Sequence, residues 1–106
     1  MKGFEILAEG YKGHGTDNPG SQFFFVEVTV GKFGNTYRAE CVQSEGSNQG
    51  YLEEHDRKEV TARDTDWEQA LQTMEERAEV AGIDAAYLVQ AASKAREAMY
   101  DRETLL

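Results

Sequence analysis

Hydrophobic and polar positions alternate from Lys2 to Gly10, with Phe4, Ile6 and Ala8 on one side and Glu5, Leu7 and Glu9 on the other. Successive side chains of a strand point to opposite faces, so this pattern predicts a first strand. The segment that follows, Tyr11 to Ser21, is rich in glycine and holds the only proline, and Asp17-Asn18-Pro19-Gly20 is a strong turn signal. An exposed loop is expected there.

The clearest local pattern comes next. Apolar alternation from Gln22 to Phe33 and from Thr36 to Gln43 flanks Gly34-Asn35, a pair suited to a two-residue hairpin turn. If those two residues form the turn, Phe33 faces Thr36, Val30 faces Ala39 and Val28 faces Cys41. Thr29 and Glu27 then face Glu40 and Val42 on the other side. A slip of one residue would exchange the two faces, so the separation of apolar from polar pairs supports this register. The same register divides Phe23-Phe24-Phe25: Phe24 belongs with Val28, Val30, Ala39 and Cys41, while Phe23 and Phe25 point to the outer face. Ser44 to Gly50 reads as a further loop. Tyr51 to Arg63 reads as a last extended segment, with Val60 and Ala62 inward and Lys58, Thr61 and Arg63 outside or at the rim.

From Thr65 the period changes to that of a helix. Thr65-x-x-Glu68 has capping-box spacing, and Trp67, Ala70, Leu71, Met74, Ala78 and Ala81 form one narrow stripe. Gly82 stands where a left-handed cap commonly ends a helix. Asp84 caps a second helix, with Ile83 and Leu88 placed for a hydrophobic staple and Leu88, Ala91, Ala92, Ala95 and Met99 as its buried stripe. The short link makes the helices antiparallel. The expected fold is α+β: an antiparallel sheet of about four strands over residues 1–63, then a helical hairpin, 65–81 and 84–100, packed on one face. At 106 residues and 40% hydrophobic content, one domain over 1–106 is expected.

Composition adds a field to this frame. The net charge is −9, and residues 40–79 carry most of it, with twelve acids against four bases. Such a field repels phosphate backbones and attracts basic surfaces. The longest apolar run, Phe23 to Val26, is far below the roughly 20 residues of a bilayer-spanning helix, and no secretory pattern opens the chain. With a single cysteine, Cys41, the default location is the cytoplasm.

Chemistry-bearing motifs are sparse. Gly13-His14-Gly15-Thr16-Asp17 fails the dinucleotide fingerprint, and no phosphate loop or nucleophile elbow occurs. His14, His55 and Cys41 are not paired at zinc-ligand spacing, so no metal and no cofactor is expected. Asp64-x-Asp66-x-Glu68 lacks the rest of a calcium loop and reads as helix capping. Ser21, Ser44, Ser47 and Ser93 show no local activating base, Cys41 reads as a small buried hydrophobe, and no enzyme is expected.

Two surfaces remain. One is acidic: Glu53, Glu54, Asp56 and Glu59 in the last extended segment, with Glu68, Glu75, Glu76 and Glu79 on the first helix. Carboxylates four positions apart on a helix rise by about 6 Å, and acids displayed rigidly imitate nucleic acid. The expected function is that of a small acidic, non-enzymatic interaction protein that binds a partner with a basic surface. In its sharpest form it is a nucleic-acid-mimicking inhibitor of the kind used by phages and mobile elements against host defence. The second surface is aromatic, Phe23 and Phe25, and its alternative is direct binding of single-stranded nucleic acid. A second alternative is a small-molecule enzyme using the His14 loop, which requires a cavity at His14 or Cys41. No membrane partner is expected, and monomer and homodimer both fit.

Overall fold

The structure, a computed structural model, describes residues 4–15 and 18–104. The Lys2 start of the predicted first strand, and Thr16 and Asp17 of the predicted loop, lie outside the described residues. The element order is β1 Phe4–His14, β2 Gln22–Phe33, β3 Thr36–Asn48, β4 Leu52–Asp64, α1 Trp67–Val80 and α2 Ala85–Thr104. The strands form one antiparallel meander in the order β1-β2-β3-β4. The architecture is α+β, with α2 packed on β1 and β2 and α1 on β3 and β4.

The β2–β3 register is the expected one: Phe33 pairs with Thr36, Val30 with Ala39, Val28 with Cys41 and Thr29 with Glu40. At the turn, Gly34 carries the positive φ, 60°, and Asn35 does not. Val26, Val28, Val30, Ala39, Cys41 and Ala62 form the sheet's inner face, closed by Trp67, Leu71 and Met74 of α1 and Leu88, Ala91, Ala95 and Met99 of α2. Gly10 lies in this layer, and a Cβ there would overlap the Ala91 carbonyl oxygen. Its missing side chain lets the α2 backbone rest on β1.

Three features of the strands differ from expectation. β1 runs on through Tyr11–His14, which pair with Glu27–Phe24, so this part of the predicted loop is strand. β3 likewise continues through the predicted Ser44–Gly50 loop as far as Asn48. The glycines here are not turn residues: a Cβ on Gly13 would overlap Tyr11 and Phe25, and one on Gly46 would overlap the Glu53 carbonyl oxygen and meet the Phe23 ring. They make room for aromatics lying across the strands. The third difference is a register shift between Ile6 and Ala8. It leaves Phe4 and Ile6 exposed and packs Leu7 against the core, reversing the expected sides of all three.

The helix signals hold with small shifts. The N-cap of α1 is Asp66, not Thr65: its extended backbone and carboxylate receive the Glu68 N–H at 3.1 Å. Asp64 in turn accepts from Asp66 N–H at 2.9 Å. Ala81 is the exposed C-cap and not part of the buried stripe. Gly82 has φ 84°, with Gly82 N–H donating to Glu79 and Ile83 N–H to Ala78, the double closure of a Schellman motif. Asp84 caps α2 by accepting from Tyr87 N–H at 2.9 Å, and Ile83 and Leu88 are both buried. α2 extends to Thr104, four residues past its expected end.

Replacing Asp66 by Ala removes the observed cap and is expected to cost about 1 kcal/mol. Thr65→Ala is expected to stay within about 0.5 kcal/mol of the parent. Urea unfolding of both variants checks this. Equal losses would return the cap to Thr65.

Candidate functional site

The helices do not cover the whole sheet. The longest extent of the molecule is 44 Å, close to a 13-residue strand at about 3.3 Å per residue. The 20 residues of α2 reach only about 30 Å. The α1–α2 turn is tied down at one level of the sheet: Asp84 N–H donates to Gln43 Oε1 at 2.8 Å, and Lys58 Nζ donates to the Gly82 carbonyl at 3.2 Å. Beyond Gln43 and Lys58 the inner face therefore overhangs the helices, and a cleft opens there.

One row of paired residues crosses this overhang: His14 opposite Phe24, Phe24 opposite Glu45, and Glu45 opposite Asp56. The cleft has a volume of about 510 Å³ and takes in His14, Phe24, Glu45, His55, Asp84 and Tyr87. Its aromatic wall is continuous, because Tyr87 meets Phe24 edge-on at 5.1 Å while His14 stacks on Phe24 at 6.1 Å. His14 Nδ1 is hydrogen bonded to the Tyr87 hydroxyl at 2.7 Å. His55 enters because a register shift on β4 pairs Glu45 with Asp56 but Gly46 with Glu54, leaving His55 as the extra residue.

The chain's two histidines thus share one cleft, which no local motif signals. The cavity lies at His14, one of the two places the small-molecule alternative requires. The chemistry within it is limited. His55 Nε2 is 3.3 Å from Ser47 Oγ and 3.8 Å from Glu53. Both approach the same ring nitrogen, whereas a serine–histidine–acid relay needs its partners on opposite nitrogens. Among the described residues, no group of three His, Cys, Asp or Glu side chains is placed to hold a metal ion. What the cleft offers is an aromatic wall beside carboxylates, a combination that receives a cation.

The eight expected acidic residues are not one surface. Glu68 accepts from the Tyr100 hydroxyl at 2.8 Å and Glu75 binds Arg96, so both are absorbed where α1 meets α2. Glu54 and Glu59 share Arg57 on the outer sheet face, at 3.1 and 2.6 Å. Ser44, buried beneath them, donates to Glu54 at 2.5 Å and, as the first cause, holds that carboxyl below its usual range. Glu53 sits by His55 in the overhang. Asp56, Glu76 and Glu79 make no ion pair or side-chain hydrogen bond among the described residues, and neither does Glu45, which sequence reasoning did not single out.

The aromatic pair lies on the outer face as expected, but it is not an open platform. Phe23 is only 4% exposed, its ring lying over Gly46, and Phe25 is half-buried. Phe25 stands between Phe23 at 6.1 Å and Tyr11 at 5.6 Å. Cys41 lies deep in the core, where burial, with smaller contributions from the charges of Glu40 and Glu75, pushes its thiol up to about 12.

Comparison with protein-family models, with curated proteins and with solved structures finds no match to this chain.

The Cys41 thiol is expected to resist alkylation at pH 8 in the folded chain and to react once the chain is unfolded. Its raised folded value also sets a sign. Unfolded thiols ionise above about 9 while the folded one stays protonated, so this contribution to stability is intact below pH 9 and declines from 9 towards 12. Comparing pH-dependent urea unfolding of the parent and Cys41→Ala checks this: the parent should lose stability more steeply in that window.

Proposed function

We propose that this chain is a small acidic interaction protein that binds a basic surface of a macromolecular partner, in its sharpest form occupying the place of nucleic acid. The observation that supports this reading is the pairing of Glu45 directly opposite Asp56 beside an aromatic-walled cleft. Like charges directly opposite on one sheet face destabilise a strand pair. Neither carboxylate has a neutralising partner among the described residues, so the free chain bears that cost and a cationic partner relieves it. An arginine side chain fits both halves of the arrangement, its guanidinium meeting the carboxylates and its flat face the Phe24 and Tyr87 rings. Glu53 and Asp84 extend the same negative rim. The contact centre of the acidic surface is therefore the overhang, with Glu76 and Glu79 of α1 further away.

The cavity at His14 keeps a small-molecule site as the second reading. One variant tests the first reading. Asp56→Lys converts the like pair into an opposite pair. It is expected to stabilise the free chain by a few tenths of a kcal/mol, up to about 1, while weakening binding of an arginine-rich peptide at least tenfold. Urea unfolding and a fluorescence titration with that peptide read the two effects. Gain of stability with unchanged peptide binding would reduce the acids to a solvated surface and reject the proposal.

A further inference from the structure

A second like-charge pair, of opposite sign, lies on the outer face at the other end of the sheet. Arg38 is directly opposite Arg63 across β3 and β4, and the same row continues through Gly31 to Ile6. The next row on the same face, two residues along, holds Phe4 opposite Phe33 and Phe33 opposite Thr36. Together Phe4, Phe33, Thr36, Arg38 and Arg63 line a pocket of about 350 Å³ with no acidic side chain among the described residues of its wall.

Each part of this pocket is unusual for a chain of net charge −9. Phe4 and Phe33 are 41% and 58% exposed, and Ile6 beside them is 54% exposed. The Phe4 ring occupies the space left by the missing Gly31 side chain. The Arg38 guanidinium lies 5.3 Å from the centre of that ring. Among the described residues Arg38 has one carboxylate partner, Glu40, and its Nε is shielded without an acceptor. Arg63 makes no ion pair or side-chain hydrogen bond among the described residues. Two opposed guanidiniums on one face repel each other, and an anion placed between them removes that repulsion.

We infer that this pocket binds one nucleotide unit of a single-stranded nucleic acid, with the phosphate between Arg38 and Arg63 and the base against the Phe33 ring. Bases stack on aromatic rings and on guanidinium planes, and the pocket presents both beside its positive charge. An acidic peptide would use the guanidiniums and leave the flat apolar surface unfilled. A symmetric contact with a second copy would bring four guanidiniums face to face, because a two-fold interface sets the same patch against itself. This site is on the opposite face and at the opposite end from the acidic cleft, so it stands or falls independently of the partner proposed above.

The test is a low-salt anisotropy titration of a labelled oligothymidylate, with inorganic phosphate and an oligoglutamate peptide as competitors. The expected result is saturable binding with a log–log salt slope of about −0.7 to −1.4, for one or two phosphates neutralised. Arg63→Glu is expected to weaken it at least tenfold and Phe33→Ala at least threefold. Both side chains are exposed, so the variants should keep the parent circular dichroism and unfolding midpoint to within a small shift. Absence of binding at low salt overturns the inference. So does displacement by phosphate or oligoglutamate at concentrations equal to the oligonucleotide, or indifference to Phe33→Ala, because either outcome leaves only a generic anion site.

Discussion

The structure depends on where the helical hairpin is fastened to the sheet. Burial of the Val, Ala and Cys inner face against two helices supplies the driving force, but burial has no direction and would tolerate sliding along the strands. The position is set by directional bonds at the inter-helix turn, Gln43 to the Asp84 amide and Lys58 to the Gly82 carbonyl. Close approach at Gly10 fixes the depth of α2 on β1. With strands longer than the helices, fastening at that level leaves part of the inner face uncovered. The cleft is the remainder of a length mismatch, and its residues are those a longer helix pair would have buried.

That remainder explains why charge sits where it does. A like-charge pair within a covered sheet would carry a prohibitive desolvation cost, and at the overhang Glu45 and Asp56 keep solvent. On the outer face near the β2–β3 turn Arg63 keeps solvent, while the half-buried Arg38 is paired with Glu40. The two pairs are seven rows apart, roughly 23 Å at about 3.3 Å per residue. The net charge of −9 describes neither region. Each end gathers like charges of one sign, acidic at the overhang and basic near the β2–β3 turn, while the remaining acids, Glu76 and Glu79 among them, are spread between.

Much of the fold was legible because its signals are local. Gly34-Asn35 and the alternation around it set the β2–β3 register, and the helix stripes and the Gly82–Asp84 link placed the hairpin. What was not legible depends on packing between distant segments. Gly13 and Gly46 resemble loop residues until Tyr11, Phe23 and Phe25 are seen to lie over them. The shift near Leu7 and the extra residue at His55 have no signature in alternation, yet they decide that Phe4 and Ile6 face solvent and that His55 joins His14. The acidic residues are numerous in the sequence, but Glu68 and Glu75 are committed to Tyr100 and Arg96, a fact that follows only from how α2 crosses α1. Glu45 escaped notice because it stood in a presumed loop, and its opposition to Asp56 appears once β3 is extended.

The proposed contact with a basic partner lies at the overhang and not along α1. Mapping amide and side-chain chemical shifts of the chain during titration with an arginine-rich peptide tests this most directly. Perturbations concentrated at Phe24, Glu45, Asp56 and Tyr87 are expected. Perturbations centred on Glu76 and Glu79, with the overhang unmoved, would contradict it.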